Sequence, residues 1–192
     1  MAHNSTIQFI DAWRALQETP QKAPARDAFD PTRMKSLMPQ MLMLAAGDRN
    51  GGFTFRLAGG FIEQLHGGGL KGRDFTAMFA PAFQAPLIVA LTSARHREQP
   101  LLLCVTASVG AETISAEILL TPLRNSAGLI DRFVGLYQPL GSPPDAFRLE
   151  AFYEGVPRAG LLSLKSARLQ TADTPALPAH LRLVSIEGRL IA

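Results

Sequence analysis

Three observations on this sequence predict an α+β fold built on a five-stranded antiparallel sheet. Two short apolar segments of strand character precede a stretch of short helical segments, and three more strand-like segments follow it. Residues 53–58 and 112–120 alternate apolar and polar side chains, as strands with one buried face do. Strand and helix do not alternate repeatedly along the chain, which excludes a doubly wound parallel sheet. The two strand groups share one core only by joining edge to edge, with helices covering one face.

Composition narrows the class further. The chain has 192 residues, 47% hydrophobic and 18% charged, with a formal net charge of +3. This mix buries a sizeable core and is unlike a disordered tail, so one soluble globular domain with extensions is expected. The longest apolar runs, 87–91 and 101–105, fall far short of the ~20 residues needed to cross a bilayer. The first residues, with Asn4, Ser5, Gln8 and Asp11, lack a basic start and an unbroken apolar stretch, so no secretory signal is read and the cytoplasm is the expected location. A single cysteine, Cys104, excludes an intrachain disulfide and a multi-cysteine metal site. Basic residues are dispersed, with Arg95-His96-Arg97 the densest group, so no nucleic-acid partner is expected.

Taken in order, the elements follow from local signals. Ser5 and Gln8 fit a capping box, and Phe9, Trp13 and Leu16 fall on one face of a helix over residues 6–18. Residues 19–29, with Pro20 and Pro24 and no apolar period, read as a linker. Asp30-Pro31 starts a short helix that ends near Met38-Pro39. Residues 40–45 and 53–58 form a hairpin, with Phe53, Phe55 and Leu57 on one face and Thr54 and Arg56 on the other. A helical turn at 61–66, a glycine-rich loop and a turn at 75–79 closed by Pro81 come next. Pro86 opens a helix carrying Leu87, Leu91 and Ala94, and Pro100 ends it. Strands at 101–108, 112–120 and 132–139 complete the sheet. The expected division is therefore an N-terminal helix and linker at 1–39, a domain at 40–139 and a C-terminal extension at 140–192, with two candidate strands at 161–169 and 181–191.

Specific words in the sequence resemble a known family. Trp13-Arg14, Arg26, Asp30-Pro31, Leu37-Met38-Pro39, Phe55-Arg56-Leu57-Ala58-Gly59, Leu65-His66-Gly67 and Leu70-Lys71-Gly72-Arg73 are similar to those of short, single-domain bacterial PAS proteins. The resemblance spans residues 9 to 139 and implies a PAS-like sheet with short helices. It implies a sensory or protein-interaction module in bacterial signal transduction, acting on a separate signalling protein. It brings no catalytic residues, and an N-terminal helix that contributes to homodimers.

Each chemical motif has a plainer structural reading. Gly67-Gly68-Gly69-Leu70-Lys71-Gly72 matches a dinucleotide fingerprint literally, but a helix precedes it and no acidic residue follows at the ribose-binding distance, so a left-handed turn is the expectation. Cys104 lies within an apolar run without a neighbouring base and reads as a small hydrophobe. His66 or His96 could serve as an axial haem ligand; a surface position at a helix end is the simpler reading. Glu112 and Glu117 lie on opposite strand faces and form no acid–base pair. Arg56 is expected in an ion pair, with an anionic ligand as the alternative.

The sequence therefore points to a non-enzymatic module without cofactor or metal, whose internal ligand, if it takes one, is small and apolar. The expected walls are Phe55, Leu57, Phe61, Leu65, Leu91, Ile118 and Tyr137. Phe9, Trp13 and Leu16 are expected at a homodimer interface or on the outer face of their own sheet, because a large apolar side chain left in water forfeits ~1.5–3 kcal/mol. An enzyme with an unrecognised site and an adaptor with a filled core are the rival readings.

Overall fold

The computed structural model describes residues 2–47, 52–109, 112–141 and 152–159. Helix α1 (Asn4–Arg14) leads into two 3-10 segments, Arg26–Ala28 and Pro31–Gln40. Strands β1 (Met41–Ala46) and β2 (Phe53–Ala58) follow, then α2 (Gly60–Leu65), a 3-10 turn at Thr76–Met78 and α3 (Pro81–Arg97). Strands β3 (Leu101–Val109), β4 (Glu112–Arg124), β5 (Ile130–Pro139) and β6 (Phe152–Ala159) complete the chain as described. The sheet is antiparallel throughout, in the order β2-β1-β5-β4-β3-β6.

The five expected strands are present and joined edge to edge. A sixth, β6, pairs with β3 from Leu101–Ala159 to Ser108–Phe152 and was not anticipated. The strands expected at 161–169 and 181–191 lie outside the described residues.

Pairing sorts the side chains into two faces. Ile118 faces Tyr137, Leu120 faces Gly135 and Leu42 faces Gly135, all on the inner face. A Cβ on Gly135 would collide with the Leu119 carbonyl, so only glycine lets these central strands approach as closely as they do. Glu117, Leu119, Thr121, Val134 and Leu136 occupy the outer face by parity. Helix α1 lies there, over β4 and β5, while α3 packs beside β3 and β6. The expectation that helices cover one face is thereby refined: α1 covers the other.

Helix α1 begins two residues earlier than expected because His3, not Ser5, caps it: the His3 Nδ1 accepts the Ser5 N–H at 3.2 Å. Its apolar stripe is consumed within the chain. Phe9 and Trp13 are fully buried and Leu16 is half-buried against the core, so of the two placements expected for them these residues take the outer face of their own sheet. The Trp13 indole N–H donates to the Pro122 carbonyl at 3.0 Å. That carbonyl is available because β3 ends its pairing at Leu101–Leu120, leaving the last residues of β4 without a strand on that side.

The segment expected to be a free linker takes up the same vacated edge. Ala25 bridges Arg124, the Arg124 N–H donates to the Pro24 carbonyl at 3.0 Å, and Ala23 and Phe29 are buried. Glu98, in the left-handed region at φ 55°, fastens it by accepting the Ala23 N–H at 2.9 Å and the Arg124 Nε–H at 2.7 Å.

Helix α3 starts at Pro81, not Pro86. Pro81 supplies the fixed φ suited to a first turn, and the helix continues through Pro86 although that residue lacks an N–H. Burial of Leu87, Leu91 and Ala94 outweighs the missing hydrogen bond.

Candidate functional site

The inner face beneath α2 gathers aromatic side chains. Tyr137 on β5 stands across from Ile118 on β4, and both are fully buried. Phe61 in the first turn of α2 places its ring centroid 6.1 Å from that of Tyr137. His66, the residue that ends α2, meets the same tyrosine edge-on at 6.4 Å. A second group adjoins the β2 edge: Phe55 packs on Phe75 at 5.6 Å and Phe75 on Phe79 at 5.4 Å, all near-perpendicular. Leu65 and Leu91 are buried in the same core.

Of the seven expected walls, Leu57 alone is turned away. Leu44 faces Phe55 but Met43 faces Leu57, so Arg56 is an extra residue in β2. The bulge reverses the parity beyond it, and Leu57 emerges 51% exposed while Phe55 stays buried. The expectation that Phe53, Phe55 and Leu57 share one face is corrected accordingly.

His66 sits at a helix end as expected and is half-buried there. Burial, with the positive charge of Arg73 nearby, holds its imidazole pKa down to about 4, so the ring is neutral at ordinary pH. His96 is exposed on the last turn of α3. No group of three metal-ligating side chains occurs among the described residues. Gly67, Gly68, Gly69 and Gly72 all adopt positive φ in the loop after α2, the left-handed turn that the helix before it called for.

On the outer face Glu117 is almost fully buried and accepts hydrogen bonds from Thr6 Oγ1 and the His3 N–H. A carboxylate so engaged caps a helix. The side chain of Glu112 lies outside the described residues. Half-buried Cys104 faces Glu117 across β3 and β4. Arg56 is exposed and, among the described residues, has no ion pair. Sequence reasoning overlooked Phe75 and Phe79 as core aromatics, although their i, i+4 spacing beside a closing proline was available.

Several solved structures resemble the fold. One is a light-oxygen-voltage domain studied with a flavin analogue, at 11% identity and TM-score 0.45, covering 58% of this chain and 84% of that one. Another is the dark structure of the blue-light photoreceptor Aureochrome1 LOV, at 14% identity and TM-score 0.46, covering 59% and 85%. An RNA-binding light-oxygen-voltage receptor matches at 17% identity and TM-score 0.43, covering 56% of this chain and 32% of that one. No curated protein matches the chain. The PAS domain family matches residues 1–138, which include α1, the segment docked on β4 and five of the six strands. By that match, the chain is a member of the PAS domain family.

Proposed function

We propose that the protein is a non-enzymatic sensory module of bacterial signalling that acts in the cytoplasm through contacts with a separate protein and with a second copy of itself. A core at 40–139 carries the sensing site, and residues 1–39 and 140–192 extend it. The observation that supports this reading is the aromatic group under α2. Phe61, His66 and Tyr137 present an apolar surface and a neutral imidazole, suited to a small, mostly apolar ligand that binds one arrangement of α2 better than another. Phe55, Leu65, Leu91 and Ile118 back the same core. No helix among the described residues is long and apolar enough to cross a membrane, in keeping with this location.

An adaptor with a filled core is the second reading, and the ring contacts of 5.4 to 6.1 Å favour it to the extent that they already close the space. Mass spectrometry of small molecules released from the purified full-length chain distinguishes the two. A single apolar compound, lost when Phe61→Asp is introduced, supports sensing. A nucleotide, a metal ion or hydrolase activity overturns it, and a chain that neither carries nor takes up apolar compounds is an adaptor.

A further inference from the structure

The sheet edge at β2 carries cations that the aromatic site does not use. Strand β2 has β1 on one side, and residues 72–75 run along the other. The Phe55 N–H donates to the Arg73 carbonyl at 2.9 Å, the Gly72 N–H to the Phe55 carbonyl at 2.7 Å and the Phe75 N–H to the Phe53 carbonyl at 2.7 Å. This strap places Lys71 and Arg73 at the same sheet edge as Arg56. All three are exposed, and none has an ion pair or side-chain hydrogen bond among the described residues. The adjacent carboxylates are engaged locally: Asp74 accepts the N–H and O–H of Thr76, and Glu63 accepts the Leu70 N–H.

Apolar surface accompanies these charges. The bulge that lifts Arg56 out of register also turns Leu57 into solvent, and a bulge that re-aims side chains marks a place where an edge meets something else. Met38, 43% exposed, belongs to the segment that Gly59 packs against so closely that a Cβ there would strike the Met38 and Pro39 carbonyls.

We propose that this edge is a docking surface for an acidic amphipathic segment of a partner protein, with Arg56, Lys71 and Arg73 taking its carboxylates and Leu57 its apolar side chains. The inference rests on the reading of the chain as a module that works through protein contacts, and it names the chemistry of the partner. Guanidinium groups bind carboxylates with two parallel hydrogen bonds, and cations held outside ion pairs raise the rate of encounter with an acidic partner. Because the strap already takes up the backbone of Phe53 and Phe55, recognition there falls to side chains. Nucleic acid suits the edge less well, since exposed leucine and methionine add nothing to phosphate binding and three charges neutralise few phosphates.

Selection of random displayed peptides on the immobilised full-length chain tests the surface. Enriched peptides are expected to be rich in Asp and Glu interspersed with apolar residues. A fluorescein-labelled enriched peptide should bind the Arg56→Glu, Lys71→Glu, Arg73→Glu triple variant at least ~10-fold more weakly, and binding to the unaltered chain should weaken as salt is raised. Leu57→Ser should weaken binding without changing the salt dependence. If charge reversal unfolds the chain, as circular dichroism would show, the neutral Gln triple variant takes its place. Peptides without acidic bias, or equal binding to the variants, overturn the proposal. A single-stranded oligonucleotide whose binding disappears in the triple variant, while peptide binding persists, overturns it in favour of nucleic acid. Acidic peptides that bind unaffected by these substitutions refute this surface and leave the interaction reading standing.

Discussion

Thr6 Oγ1 donates a 2.7 Å hydrogen bond to Glu117 Oε2, joining the first turn of α1 to the centre of the sheet across 111 residues of chain. The same oxygen accepts the His3 N–H at 3.0 Å, and the first turn of α1 has no acidic residue of its own. Glu117 thus supplies from the sheet the negative charge that a helix N-terminus favours, and it fixes where α1 sits on the outer face. Glu117→Ala is expected to destabilise the fold by ~2–3 kcal/mol, because it leaves a buried hydroxyl and a backbone N–H without their acceptor. Thr6→Val should cost less, ~1–2 kcal/mol. Urea unfolding followed by circular dichroism measures both.

Trp13 is the only tryptophan of the chain and is 1% exposed. Its emission is therefore expected to be blue-shifted and resistant to acrylamide quenching in the native state, and to move to the red on unfolding. Trp13→Ala should cost ~3–5 kcal/mol. Deleting residues 1–18 uncovers the outer face and is expected to yield aggregated or unfolded protein, not a well-behaved monomer. A soluble, folded deletion product seen by light scattering and circular dichroism would contradict the placement of α1.

Gly59 and Gly60 are neighbours with opposite tolerances. A Cβ on Gly59 meets two backbone carbonyls, whereas one on Gly60 meets nothing within 4 Å. Gly59→Ala is expected to destabilise by ~3 kcal/mol, since backbone must shift to admit it. Gly60→Ala, in the first turn of α2, should be neutral or stabilising by up to ~1 kcal/mol. Thermal melts of the two variants side by side provide the comparison.

His66 makes stability depend on pH. Its folded-state pKa of about 4 lies below the ordinary imidazole value of 6.5, so the unfolded chain binds the extra proton more readily. The contribution of the neutral ring is complete above pH 6.5 and is lost as pH falls toward 4, by an amount on the order of 2–3 kcal/mol. His66→Phe should flatten that part of the profile. Denaturant titrations at pH 7 and pH 5 check it, and an unchanged slope in the variant would assign the pH dependence to other groups.

The amino-acid sequence by itself determined the five strands from β1 to β5 and that they form one antiparallel sheet, but it did not mark β6. Strand β2 was legible to the residue because Phe53, Thr54 and Phe55 alternate after the glycine-rich segment 47–52, and β4 because Thr113 to Glu117 alternate without interruption. The apolar stripe of α1 was equally plain. Tertiary structure alone decided what each surface meets. The bulge at Arg56 exists only against the register of β1, so the outward turn of Leu57 is invisible in the sequence of β2. That α1 would bury Phe9 and Trp13 on its own sheet depended on Glu117 and on a Pro122 carbonyl left open by the end of β3. Residues 19–29 looked like a linker because they lack an apolar period; they are ordered by the vacated edge of β4 and by Glu98, far away in sequence. Alternation, proline and glycine act over a few residues, whereas register, caps from distant strands and edge pairing require the whole chain to be assembled.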